Sequence, residues 1–414
     1  MKALPSANSA ARSTTDASAV VQALDTPGLS TPSRAQAAKS SNAFALALWA
    51  EARRSVTGNA TLSPLSLFAG LSLARLGAGG TTASELERTL RFEGPAATAY
   101  LATLRAIRPD PPSLESSVQL AARLFVDRNR PLDPAYVARS RSLGEAVEAL
   151  DFQHFPEPAR VHVNTWVSEQ THAKISELVP QGAVAADTKV VLANALSFSA
   201  RWAKPFQIAE TRPEPFHVSA KGAPNVPTLH MNESLGVGSA QGVKWLRLPY
   251  SGGTFAMTVV LPRQGQSLDD LERALDAPTL TRWLADPPLI PASVLVPKFR
   301  VHTPEALSLS QVLRAMGITA AFAASSADFS PMTGATAPQD RFFIRDVFEQ
   351  AVVEIDENGT EAAAASALSQ SAGAQLATQK PAEFRADRPF LFLISEVEHD
   401  TLLFIGRVSD PTAG

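Results

Sequence analysis

The chain has no cysteine among its 414 residues. That excludes disulfides, cysteine nucleophiles and thiolate metal sites, and it leaves the redox compartment open. Nor does it carry an excess of charge: 37 Lys and Arg against 40 Asp and Glu give a net charge of −3. Nothing in that balance points to nucleic acid or to an anionic membrane surface. No run of about 18 apolar residues exists, so no membrane-spanning helix is expected. Catalytic signatures are missing too: there is no His-Glu-x-x-His, no Gly-x-Ser-x-Gly and no dinucleotide fingerprint, and the seven histidines are scattered. Gly77-Ala78-Gly79-Gly80-Thr81-Thr82 lacks the lysine of a phosphate loop and follows a helix rather than a strand. The first 40 residues, rich in Ala, Ser, Thr and Pro, lack the apolar core of a secretory signal and read as a disordered arm.

What is present is organised around residues 342–376. Phe343 to Ile355 reads as one long strand, rich in β-branched and aromatic residues and free of Gly and Pro. Alternation puts Phe343, Val347, Ala351, Val353 and Ile355 on one face, with Glu349 among them. Asp356-Glu357-Asn358-Gly359 is turn chemistry and ends the strand. Thr360-Glu361-Ala362-Ala363-Ala364-Ala365 then offers no bulky side chain until Leu368. On composition it is either a helical turn or surface loop, or a segment small enough to slide into a packed sheet.

Elsewhere the pattern is of mixed helices and strands. Order is expected from Ser41-Asn42, which can cap a helix through Phe44, Leu46, Leu48 and Trp49. Ser63 and Pro64 stand in cap-then-proline order before a helix apolar nearly all round, through Leu71, Leu73 and Leu76, which must be buried. Helices are also expected over 158–179 and 271–284. Thr188 to Phe198 is a near-continuous apolar run, the mark of a central strand buried on both faces.

Glu354 to Ala365 resembles the hinge of the serpins, a family of protease inhibitors. Phe384-Arg385-Ala386-Asp387-Arg388-Pro389-Phe390 resembles the family's motif after the reactive loop, and Leu403-Phe404-Ile405-Gly406-Arg407-Val408 its closing strand. Trp202-Ala203-Lys204-Pro205-Phe206 is similar to its Trp-x-x-Pro-Phe motif at the top of the main sheet, although Ser199-Ala200 replaces the usual Lys-Gly. Together with the second helix and the Leu76–Thr82 turn, the resemblance covers about residues 42–411. It implies an α+β serpin fold: a large mixed central β-sheet, additional sheets, eight or nine helices and an exposed reactive-centre loop. The expected organisation is an N-terminal arm over 1–40 and a single domain over 41–414, with the loop at about 358–385. The absence of cysteine suits a prokaryote-like member.

The resemblance implies a suicide mechanism in which a serine protease is acylated by the loop and the loop's first part then inserts as a new strand. Gly359 to Ala365 would be the hinge, Trp202 the sheet-top residue, and Ser63, Ser66 and Asn194 part of the family's shutter. The shutter's usual histidine is Glu349 here, a departure that a bond from the glutamate to Asn194 would offset. The family's usual spacing puts the reactive bond after Gly373 when counted from Gly359, and after Gln375 or Leu376 when counted back from Phe384; Leu376-Ala377 is expected, for the apolar area of leucine, with Gly373-Ala374 as runner-up. Ala, Ser, Gln and Leu there favour elastase-, chymotrypsin- or subtilisin-like targets over trypsin-like ones. The alternative is a serpin-fold binding or storage protein without inhibition. No enzyme activity, cofactor or metal is expected; a monomer is. The compartment expected is extracellular or the cell envelope if a leader precedes this chain, with the cytoplasm as the other option. Members that bind heparin-like polymers do so through a basic helix, and residues 93–117 hold chiefly Arg105 and Arg108.

Overall fold

The computed structural model describes residues 34–91, 116–141, 147–218, 222–304, 307–334, 341–360 and 380–413. In chain order, α1 (Arg34–Ala52) leads to β1 (Ala60–Leu62), α2 (Pro64–Leu76) and α3 (Gly80–Leu90). Then come β2 (Ser116–Asp127), α4 (Pro134–Arg141), β3 (Val147–Leu150), α5 (Pro156–Gln170) and β4 (Val190–Arg201). A strand-rich stretch follows: β5 (Arg212–Pro215), β6 (Asn225–Ala240), β7 (Val243–Pro249) and β8 (Phe255–Leu261). Next are α6 (Leu268–Arg273), α7 (Ala277–Leu284), β9 (Leu289–Pro297), β10 (Phe299–His302), α8 (Leu309–Ala315) and α9 (Ser330–Thr333). The chain closes with β11 (Ile344–Gln350), β12 (Val352–Ile355), β13 (Gly359–Thr360), β14 (Ala382–Arg385), β15 (Phe390–Glu396) and β16 (Leu402–Val408).

These strands form two mixed sheets among the described residues. Nine strands run β1-β16-β15-β8-β7-β6-β9-β14, with β5 beside β6. Seven run β10-β12-β13-β4-β2-β3, with β11 also against β4. The pairs β2/β3, β4/β11 and β9/β14 are parallel and the rest antiparallel. With nine α-helices described, the expected α+β architecture holds.

β4 shows why its apolar run is continuous. Val190, Leu192, Leu196, Phe198 and Ala200 face the main core, which includes α1 and α2, while Val191, Ala193 and Ala195 face a second cluster with Val163, Trp166 and Val167 of α5. A strand covered by a helix on each face has no polar side to show. On the main-core face, α2 is buried from Pro64 to Ala74, and Ser63 caps it by accepting from the Ser66 N–H at 3.4 Å.

Four boundaries differ from expectation. Residues 34–40 are the first turns of α1 rather than part of an arm. Ala37 and Ala38 are buried there, and such small side chains give little amphipathic signal. Ser41 therefore lies inside the helix, and Asn42 instead ties it to the β15–β16 turn, donating to Asp400 O and accepting from Leu402 N–H. The long strand expected over 343–355 breaks at Ala351, whose N–H and C=O both bond Thr303. A register shift between Ile344 and Asp346 puts Ile344, not Phe343, on the core face. α5 stops at Gln170, where the Thr171 hydroxyl takes the Ile175 N–H, and the helix expected over 271–284 is two, separated by the Asp276 cap on Thr279.

Candidate functional site

The seven-stranded sheet is forked. Along one side β4 pairs with β2 from Val190 to Ala200. On its other side β11 pairs only as far as Gln350 with Ala195; beyond that, β12 turns to β10. β4 has no described partner on that side again until β13, where Thr360 pairs with Ala200 and Gly359 with Arg201. Among the described residues, therefore, no strand lies between residues 196–199 of β4 and 352–354 of β12, and this opening is closed below by the fork and above by two residues.

At the fork, Glu349 and Asn194 are partners in the ladder. The Glu349 Oε1 accepts from the Ser63 N–H at 2.9 Å, which joins the start of α2 to β11. Asn194 Nδ2 donates to Phe348 O at 3.4 Å. Ser66 Oγ donates to Ser63 O at 3.0 Å. All four side chains are buried. Through Oε1 the glutamate reaches the helix cap, because the cap's N–H lies within its span, and its Oε2 and Asn194 Oδ1 are left without a donor. Burial pushes the Glu349 pKa up to about 8, against the opposing pull of the Ser63 N–H. Gly70 lets Asn194 in: a Cβ there would stand 1.9 Å from Asn194 Oδ1.

At the top, three successive carbonyls of the 356–358 turn are taken by the 202–206 segment. Trp202 Nε1 donates to Asp356 O at 3.0 Å, Phe206 N to Glu357 O at 2.8 Å and Trp202 N to Asn358 O at 2.8 Å. Asp356 Oδ1 accepts from the Asn358 and Gly359 N–H groups, which is how Asp and Asn make such turns. The Glu357 carboxylate takes Lys298 Nζ at 2.9 Å and the Thr211 hydroxyl at 2.8 Å. Burial alone would raise its pKa, but these bonds outweigh burial and hold it below the usual value. Thr360 is 1% exposed, and its hydroxyl meets Tyr250 OH at 2.5 Å. Tyr250 in turn stacks on Trp202 with centroids 4.6 Å apart. Gly359 passes so close to β4 that a Cβ would lie 2.0 Å from Ala200 O.

The sequence matches the family model described as serpin (serine protease inhibitor) over residues 39–411. The chain belongs to the serpin family. The leukocyte elastase inhibitor of Bos taurus is 33% identical over 86% of this chain and 93% of its own length. An uncharacterised serpin-like protein of Thermococcus kodakarensis is 32% identical over 90% of this chain and 85% of its own. Uncleaved ovalbumin superposes with a TM-score of 0.78 at 27% identity, covering 90% of this serpin and 99% of that chain. Thyroxine-binding globulin bound to thyroxine does so with 0.77 at 26% identity, over 90% and 99%. The relatives therefore include a named inhibitor and a ligand-bound globulin. Serpins are described as inhibitors of proteases, not as proteases. Among the described residues no helix is long and apolar enough to cross a membrane.

The structure thus brings Ser63, Ser66, Asn194 and Glu349 together at the fork, and Trp202, Gly359 and Thr360 at the top. Glu361 to Ala365 and both candidate bonds, Leu376-Ala377 and Gly373-Ala374, lie outside the described residues, as do residues 1–33 and 92–115. Sequence reasoning passed over Gly70, Thr211, Tyr250 and Lys298. Only Gly70 left a trace: a glycine inside a wholly apolar helix marks a close approach.

Proposed function

We propose that this serpin inhibits serine proteases as a suicide substrate. The observation that carries this reading is the opening between β4 and β12, with Gly359 and Thr360 already seated at its head. A strand end lying in register between two separated strands is a template for adding the rest of the segment. Thr360 faces inward, so Ala362 and Ala364 follow on the same side, and side chains this small meet little steric resistance. The protease attacks a bond in the loop and forms an acyl-enzyme. The freed hinge then extends β13 down the opening. Fifteen residues at about 3.3 Å each carry the tethered protease about 50 Å. If about ten new hydrogen bonds contribute about 1 kcal/mol each, insertion releases on the order of 10 kcal/mol. Until cleavage that free energy is held back kinetically.

Leu376 or Gly373 supplies the residue cleaved after, and elastase-, chymotrypsin- or subtilisin-like proteases fit the Ala, Ser, Gln and Leu around it. The likeness to an inhibitor named for elastase supports the same target class. The inhibitor acts as a monomer. Incubation with a panel of serine proteases tests the proposal. An SDS-stable complex is expected, with release of a peptide that begins at Ala377, or at Ala374 for the runner-up bond. Cleavage by every protease without a covalent complex would overturn inhibition and favour the binding or storage alternative.

A further inference from the structure

The fork has more buried acceptors than donors. Glu349 Oε1 is served by the Ser63 N–H, but Glu349 Oε2 and Asn194 Oδ1 have no partner. The two residues face each other across the β4/β11 ladder. A buried acceptor without a donor is destabilising, and a buried unpaired charge is more so. Among the described residues, no charged side chain bonds the carboxylate. The titratable residue of α2 is Arg75, in its last turn and bonded to Glu87. That of β4 is Arg201, at the far end of the strand, and β1 has none. On β10, Arg300 is exposed beside Glu354, and His302 is exposed with its Nδ1 by Thr303 O. On β11 itself, Arg345 pairs with Asp187 and Asp346 meets Ser310. Arg123 of β2 lies on the other face, over Trp166.

We propose that Glu349 carries a proton on Oε2 in the native fold, and that losing it loosens the fork at which β11 parts from β4. The added O–H is the donor this corner lacks, with Asn194 Oδ1 across the ladder as the acceptor in want of one. Burial acts in the same direction, holding the pKa at about 8. While the proton is held, Glu349 ties Ser63 to β11 as a neutral group. Once it leaves, a carboxylate with one N–H partner sits in an apolar core, and separation of β11 from β4 at residues 194 and 349 lets water reach it. Widening the opening is the step that strand insertion needs, so the idea rests on the inhibitory reading for its biological meaning.

The sign follows from proton counting. Between the ordinary glutamate pKa and about 8 the native state binds one proton more than the unfolded state. Native stability therefore falls as pH rises through that window, by about tenfold in the unfolding equilibrium per pH unit, and levels off above it.

The test compares wild type with Glu349→Gln from pH 5 to pH 9, by infrared difference spectroscopy and by the rate of spontaneous conversion to an inserted, inactive form. A protonated-carboxyl band that disappears near pH 8 in wild type and is absent from Glu349→Gln is expected. So is a conversion rate that climbs with pH in wild type and stays level in the mutant. A carboxylate band at pH 6 in the wild-type minus Glu349→Gln difference, or the same pH profile in both proteins, would overturn the proposal. If Glu349→Gln does not fold, wild type is compared with Glu272→Gln, because burial also raises the Glu272 pKa, to about 7; a band that titrates near pH 8 and survives this change is expected, and its loss would overturn the proposal. Neither readout requires a protease, so failure here is separate from failure to form a covalent complex.

Discussion

Glu349 and Glu357 lie on the same run of chain, both buried, at opposite ends of the opening in the sheet. Their surroundings push them in opposite directions. Glu349 meets one backbone N–H in an apolar corner, and burial raises its pKa to about 8. Glu357 is buried too, but Lys298 and the Thr211 hydroxyl more than offset that and keep its carboxyl ionised. The lower end of the opening is closed by a parallel ladder, unbroken from Asp346 to Gln350, and a neutral side chain. The upper end is closed by side-chain clamps and only three ladder pairs. A ladder resists peeling along its length, whereas clamps release one at a time, so the upper end is where a new strand can begin.

The largest effect is expected at the upper end. Thr360→Arg buries an unpaired guanidinium where a hydroxyl now meets Tyr250, at a cost of several kcal/mol. The mutant should be cleaved at the wild-type bond, while the number of inhibitor molecules consumed per protease inactivated rises at least about tenfold. Glu361→Arg, which by alternation would fall on the other side of an inserted strand, should change that number far less; equal values would break the inward-facing role of Thr360.

The two glycines should come next. Gly359→Ala drives a Cβ into backbone, Ala200 O, which cannot turn aside, and should cost about 1–3 kcal/mol and undock β13. Thermal unfolding together with protease sensitivity of the 356–360 turn measures it. Gly70→Ala meets the Asn194 side chain, which can rotate at the expense of its bond to Phe348, and about 1 kcal/mol is expected. If Gly70→Ala proved the worse of the two in thermal unfolding, the lower end would be the more strictly packed one.

Removing the clamp, Lys298→Met, should lower stability by about 1 kcal/mol, a modest figure because the lysine is partly exposed. It should also change the acid limb. A depressed carboxyl contributes stability that is present above its unfolded pKa and lost as pH falls through the folded one. Wild type should therefore weaken at the upper end below about pH 4.5, and Lys298→Met should weaken less steeply there. Glu349 predicts the opposite slope at higher pH. Acid titration of both mutants, Lys298→Met and Glu349→Gln, separates the two ends; a Glu349→Gln protein altered only below pH 4.5 would collapse the distinction between them.

Much of this was legible in the amino-acid order. The unbroken apolar run of β4, the Ser63-Pro64 helix start, the turn at Asp356–Gly359 and the placement of Glu349 among Val347 and Ala351 all follow from local periodicity and turn chemistry, which act over a few residues. The family motifs pointed to a hinge at residues 359–365, of which Gly359 and Thr360 are described, pairing with β4. Local signal could not fix the break at Ala351, because the hydroxyl that makes it, on Thr303, is distant in sequence. Nor could it show that Tyr250 meets Thr360, that Lys298 and Thr211 hold Glu357, or that Glu349 bonds the cap of α2. By itself the sequence determined the type of the main elements it marked and most of the faces they bury, but not all of their ends. Only the tertiary structure decided which buried polar groups find partners, since a hydrogen bond depends on where folding brings two atoms and not on their spacing along the chain.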